Sequence, residues 1–171
     1  MGRFSRAELS DALHHYGAHV DRCSASGDWR PFADLFTVDV EYIEHAYGIL
    51  HGREAVRSWI VDVMAPFPQM RLTHAWEAYD EENGAIVVGI DNVLDHPTEP
   101  GVEFGFINVS RMTYAGDGLF SVQEDVYNPA RDAPRVVGEW LRAGGKLLCQ
   151  PRLRMKHVFV TPPVKVVGQA T

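Results

Sequence analysis

Cysteine is scarce in this chain: its 171 residues hold two, Cys23 and Cys149. They stand far apart, with no C-x-x-C and no Cys/His finger spacing, which argues against a disulfide scaffold and a zinc module and leaves two buried or incidental thiols. Long uncharged apolar runs are missing as well. The start Met1-Gly-Arg-Phe-Ser-Arg-Ala-Glu8 passes into a helical pattern without an apolar signal region, so a cytoplasmic protein with no membrane partner is expected. There is no glycine-rich phosphate loop, nucleophile elbow or dinucleotide fingerprint, and no cofactor is expected. His45, His74 and Asp125 lack any ligand-motif spacing, so no metal is expected either. The chain shows neither an internal repeat nor a low-complexity tract.

What is present suits one domain. At 46% hydrophobic content the chain can bury a real core but is too short for two comfortable ones. Its net charge of −7 is unevenly placed. Residues 129–171 hold eight Lys/Arg against Asp132 and Glu139, or +6, which leaves −13 for residues 1–128. An acidic body is a poor footprint for nucleic acid. The basic residues Arg152, Arg154, Lys156 and Lys165 lie among Pro and Val, and suit packing or a subunit contact better than anion binding.

Leu9, Leu13, Tyr16, Val20 and Cys23 recur at helical spacing and predict a first helix over about 5–24, opened by a Ser5/Glu8 capping box and ended at Ser26-Gly-Asp. Asp28 is placed to cap a second, short helix carrying Trp29, Phe32, Leu35 and Phe36. A strand follows over 39–46, then a turn at Gly48. A third helix runs over 53–64 with Ala55, Val56, Trp59, Ile60 and Val63 on its apolar face, and Pro66 and Pro68 stop it. The period then changes to two. Strands are predicted over 70–80, 85–95, 103–115 and 119–127, joined by the turn-rich Glu81-Glu-Asn-Gly84 and Ala115-Gly-Asp-Gly118 and by a longer loop at His96-Pro-Thr-Glu-Pro-Gly101. A last helix over 134–143 ends at Gly144-Gly145, and residues 150–171, including His157-Val-Phe-Val-Thr161, read as an extended arm.

The strand over 39–46 is oddly polar. Val40, Tyr42 and Glu44 fall at period two on one face, where a half-buried strand normally turns apolar side chains inward. A phenol and a carboxylate projecting together look like the wall of a pocket.

Three helices, an early strand interrupted by the third helix, and a four-strand meander form the layout of the cone-shaped nuclear transport factor 2-like (cystatin-like) fold. Gly27-Asp28-Trp29, the run from Leu35-Phe36 to Asp39-Val40, and Gly48 with Gly52-Arg53-Glu54 resemble phrases of its SnoaL-like branch over roughly residues 8–128. The resemblance implies an α+β fold with helices on one face of a curved, mostly antiparallel sheet, plus a C-terminal helix and tail outside the domain. Its relatives include polyketide cyclases, ketosteroid isomerases, a limonene epoxide hydrolase, scytalone dehydratase and many non-catalytic modules. Function must therefore come from the pocket.

The same resemblance implies site residues. Tyr42 matches an active-site tyrosine of the dehydratase and the epoxide hydrolase. Glu44 matches the isomerase base when counted from Asp39, whereas counting back from Gly48 gives His45, so one residue of bulge decides between them. His74 resembles the first catalytic histidine of the dehydratase. Asp91 stands where its second would be, and the aspartate partnering that histidine falls at Ala25, two departures from the dehydratase pattern. Asn108 and Ser110 occupy positions suited to a carbonyl or developing oxyanion. Asp125, in Glu124-Asp125-Val126-Tyr127-Asn128, takes the acid or base position of cyclases and the hydrolase, although the hydrolase Arg-x-Asp pair reads Asn92-Val93-Leu94 here. Tyr16, a turn early for the isomerase tyrosine, joins Trp59, Phe106 and Tyr127 as the remaining expected substrate-binding residues.

Blander readings stand beside these. Tyr42 and Tyr16 suit core tyrosines whose hydroxyls touch backbone; Asp28, Arg53 and Glu54 suit helix-end charges; His14, His15 and His51 suit surface positions. The expected function is a cofactor-independent acid/base enzyme of cyclase, isomerase, dehydratase or epoxide hydrolase type. It would act on a small, largely apolar oxygenated molecule such as a polyketide, steroid or terpenoid, with Asp125 or Glu44 moving the proton, His74 as partner, and Tyr42 and Asn108 holding the substrate oxygen. The alternative is a binding or dimerisation module, with a homodimer formed through the open sheet face. A cavity of roughly 300 Å³ or more would favour the enzyme or a ligand carrier, and a packed cone would favour assembly.

Overall fold

The computed structural model describes residues 2–155. The expected strand His157–Thr161 and the rest of the arm lie outside the described residues. Helix α1 (Arg6–Ser26) begins where Ser5 accepts the backbone N–H of Glu8, and it ends at Gly27, whose φ of 70° is left-handed. Its predicted stripe is its buried face: Leu9, Leu13, Tyr16, Val20 and Cys23 are all buried. Truncating one of these, Leu9 for example, should cost about 2–5 kcal/mol.

The second helix is a 3-10 helix over Arg30–Leu35 rather than an α-helix. Its N-cap residue is Trp29, with no side-chain cap bond, rather than the expected Asp28, which sits one residue earlier and accepts the Arg30 backbone N–H at 3.0 Å. Strand β1 (Phe36–Glu44) and the short β2 (Gly48–His51) follow; what read as a turn at Gly48 opens a strand that pairs back on β1. Helix α2 (Arg53–Met64) comes next, then β3 (Arg71–Asp80), β4 (Ala85–Asp95), β5 (Glu103–Gly116) and β6 (Leu119–Val126), and α3 (Asp132–Arg142). The β5–β6 connection is a two-residue turn, Asp117-Gly118, with both residues at positive φ (53° and 75°). That conformation matches the twist of paired antiparallel strands.

The six strands lie in the order β2-β1-β6-β5-β4-β3, and every pairing is antiparallel except β1 with β6. That one parallel pairing sets the chemistry. It brings Glu44 opposite Asp125 and Tyr42 opposite Gln123, while β5 sets Ser110 against Asp125. Helices α1 and α2 and the 3-10 helix cover the concave side, where one apolar cluster joins them to the sheet. Helix α3 covers the remaining opening, with Val136 fully buried and the Trp140 indole donating to the Asp95 carbonyl at 3.0 Å. The chain after α3 folds back over α2: the Leu148 N–H bonds the Pro66 carbonyl at 2.8 Å, and Arg152 pairs with Asp62 at 3.1 Å. No helix among the described residues is long and apolar enough to cross a membrane.

Candidate active site

On β1, alternation turns Val40, Tyr42 and Glu44 inward, and all three are buried. The irregularity in the β1–β6 pairing lies upstream, between Phe36 and Glu41; from Glu41 to Glu44 the register runs evenly against Val122 to Asp125. Glu44 therefore faces the cavity. His45, one residue on, points the other way and meets the Glu124 carboxylate at 3.2 Å, outside the cavity wall.

The cavity holds about 130 Å³. Tyr42, Glu44, Trp59, Phe106, Asn108, Ser110, Asp125, Tyr127 and Tyr16 all line it, so nine of the side chains singled out in the sequence converge from α1, β1, α2, β5, β6 and the residue after β6. The volume is under half of the roughly 300 Å³ mark. It is close to the size of an engineered cavity of about 150 Å³ that holds benzene. Helix α3 and the returning chain cause the shortfall, since Ala133, Val137 and Met155 complete the wall. A neighbouring space of about 200 Å³ lies between α2, α3 and Pro151–Leu153, on the other side of Tyr47, Val63, Phe67, Ala133, Val137 and Met155, which line both.

Two carboxylates organise the polar wall. Asp125 accepts on both oxygens: from the Tyr42 hydroxyl at 2.5 Å on Oδ2, and from the Ser110 hydroxyl at 2.6 Å and the Gln123 amide at 3.0 Å on Oδ1. The Gln123 Nε2 also donates to the hydroxyl oxygens of Tyr42 (3.1 Å) and Tyr16 (3.3 Å), and Asn108 Nδ2 donates to Ser110 Oγ at 3.2 Å. Glu44 accepts the Tyr127 hydroxyl at 2.5 Å and the backbone N–H groups of Ala46 and Tyr47 at 2.7 and 2.9 Å.

Burial pushes the Glu44 carboxyl up to about 7; the Asp125 charge adds to the rise, and the three hydrogen bonds oppose it. Burial, reinforced by Asp125, drives the Tyr42 and Tyr16 hydroxyls well above their ordinary values. Burial and then Glu44 do the same to Tyr127 and bring Tyr47 up to about 12. These phenols stay protonated at neutral pH, and Tyr42 and Tyr127 donate to the two carboxylates, which leaves Glu44 poised to gain or lose a proton there.

Three expected site residues fall elsewhere. His74 lies on β3, the last strand of the sheet, just before a pairing irregularity between His74 and Trp76. It is exposed in a groove between α1 and β3 and pairs with Glu77 at 2.8 Å. Asp91 sits between Ile90 and Asn92, both of which line the cavity, so strand alternation turns it to the opposite, convex face. His45 is displaced by the same alternation. The oxyanion role expected of Asn108 and Ser110 also meets an obstacle, because the Ser110 hydroxyl and the Asn108 amide N–H already donate within the Asp125 network.

Reasoning from sequence missed Gln123, the hub that joins Tyr16, Tyr42 and Asp125. The signal was present: Gln123, Asp125 and Tyr127 alternate on one face of β6. It also missed Tyr47, whose side chain is set by the β1–β2 turn. Among the described residues no three His, Cys, Asp or Glu side chains gather as metal ligands.

Residues 4–79 match the family model for the SnoaL-like domain. Solved structures share the architecture. A candidate SnoaL-like polyketide cyclase from Jannaschia sp. CCS1 superposes with a TM-score of 0.58 at 14% identity, covering 80% of this chain and 97% of that one. A candidate polyketide cyclase from Xanthomonas campestris pv. campestris gives 0.57 at 16%, covering 82% and 98%. A nuclear transport factor 2-like protein from Anabaena variabilis ATCC 29413 gives 0.57 at 14%, covering 75% and 95%. No curated protein matches the sequence. The chain thus has the cone-shaped nuclear transport factor 2-like fold, with similarity to the SnoaL-like domain over residues 4–79; at these identities the solved structures speak for the fold alone.

Proposed function

We propose that this SnoaL-like chain is a cofactor-independent acid/base enzyme that moves a proton on a small, largely apolar oxygenated molecule held in the cone, as in cyclisation, isomerisation or dehydration. The observation that carries the reading is Glu44: a carboxyl at 2% exposure on the cavity wall, facing Asp125 and held near pH 7. A group with that value is both an effective acceptor and an effective donor at neutral pH. Glu44 takes the proton and returns it; Tyr127 and the Ala46 and Tyr47 amides fix its orientation. Asp125, gripped by Tyr42, Ser110 and Gln123, is the fixed acceptor that sets the direction of the surrounding hydrogen bonds. His74 has no part in this scheme. The cavity volume narrows the substrate to about one ring, with any larger portion extending towards Met155.

Turnover of single-ring cyclisable or isomerisable ketones tests this. The expected result is a rate that rises with pH through an apparent pKa near 7, falls at least about a hundredfold in Glu44→Gln, and is unchanged in His74→Ala. An intact rate in Glu44→Gln would contradict it. A second reading has its own observation, the small volume of the cavity: the same walls would serve a non-catalytic carrier of a one-ring ligand, which would bind such compounds and convert none.

A further inference from the structure

The direction of every hydrogen bond in the polar wall follows from Asp125. A carboxylate accepts, so Ser110 must donate to it; the Ser110 oxygen then accepts from Asn108 Nδ2, which fixes the Asn108 amide and leaves its Oδ1 with no partner. Gln123 is fixed in the same way, its Nε2 turned to Asp125 and the tyrosine oxygens, and its Oε1 is left with no partner. Both residues line the cavity and both are more than nine-tenths buried, at 8% and 1% exposure. A buried acceptor without a donor costs about 1–3 kcal/mol. The wall therefore holds two acceptors that need donors.

The charge around them is one-sided. Glu44 and Asp125 line the cavity, and among the described residues no Lys, Arg or His does. Eight aromatic side chains also line it, among them Tyr42, Tyr47, Trp59 and Phe106, and their ring faces attract cations. We infer that the molecule this cavity takes carries a protonated amine, a small organic ammonium about one ring in size, whose charge is held by Asp125, by the aromatic rings and by the negative ends of the unpaired Asn108 and Gln123 amide dipoles buried in the wall. An anion would meet two carboxylates in a site without a countercharge. A neutral alcohol could supply one donor but would leave Asp125 without a cation.

The inference names the substrate class for the acid/base reading above and rests on the same cavity being the site. Its test is calorimetry on the full chain at pH 8 with three ring-sized probes: piperidinium, cyclohexanol and cyclohexanecarboxylate. Piperidinium should bind at least about tenfold tighter than cyclohexanol, a difference of about 1.4 kcal/mol, and the carboxylate should not bind. The preference should shrink in Asp125→Asn. Glu44→Gln, which keeps the shape of the wall, serves as the second variant and should lose part of the preference as well. Equal or tighter binding of cyclohexanol overturns the inference, as does binding of the carboxylate or of none of the three. In each of those outcomes a rate that still depends on Glu44 with an apparent pKa near 7 would leave the acid/base reading standing, so the two fail separately.

Discussion

Two recesses flank Tyr16, Leu72 and Ile90, which line both. The groove between α1 and β3 is the larger, about 420 Å³, and gathers as many titratable side chains of its own, His14, Asp21, His74, Glu77 and Tyr79, as the cavity does with Tyr42, Glu44, Tyr47, Asp125 and Tyr127. The cone cavity is about 130 Å³. Yet in the groove water reaches His74 and Glu77, whose side chains are 46% and 35% exposed, and their pair is of the surface kind worth about 0–1 kcal/mol. In the cavity Glu44 and Asp125 are shut away from water beside each other, and burial carries Glu44 to about 7. Exclusion of water, more than the size of a recess or its number of ionisable groups, makes the reactive group here.

Removing the hub should separate the two regions most strongly. Asp125→Ala strands the Tyr42 hydroxyl, the Ser110 hydroxyl and the Gln123 amide in a buried wall. It should lower unfolding free energy by about 3–5 kcal/mol in urea titrations; a loss below about 1 kcal/mol would mean that the network is not closed to water.

Next in size is the pH dependence of stability. The folded value of Glu44 lies above its unfolded value of 4.5, so the folded state binds the extra proton between these limits. The stabilisation is fully present below about pH 4.5 and is lost as pH rises through about 7, a change on the order of 3 kcal/mol. Glu44→Gln should flatten that slope when the two proteins are compared by denaturation across pH 4 to 8, and an unchanged slope would assign it to other groups. The smallest effect belongs to the groove. His74→Ala and Glu77→Ala should each shift stability by no more than about 0.5 kcal/mol and leave binding in the cone unaltered; a larger loss of binding would return His74 to the site.

Much of this arrangement is legible in the sequence where periodicity controls it. The α1 stripe, the start and end of α2, and the inward face of β1 with Tyr42 follow from local pattern, whereas Asp125 and Tyr127 enter through the resemblance to the SnoaL-like branch. Glu44 against His45 was undecidable there, because the deciding fact is where the β1 pairing slips, and that depends on β6, some eighty residues away. His74 falls outside the cavity for a related reason: its strand carries the right pattern, but it is the edge strand of the sheet, and there His74 opens into the solvent-reached groove beside α1 rather than into the cone. Gln123 matters only because a parallel pairing sets it beside Tyr42. The cavity volume depends on how α3 and the chain to Met155 close the cone, which local pattern does not encode.

The central claim is that Glu44 is a buried carboxyl titrating near neutrality, and carbon-13 NMR of its side-chain carboxyl across pH 3 to 9 tests that most directly. A transition near pH 7 that moves when Asp125 is changed to Asn is the expected result. A transition between about pH 4 and 5, the range of an exposed glutamate, would contradict the account.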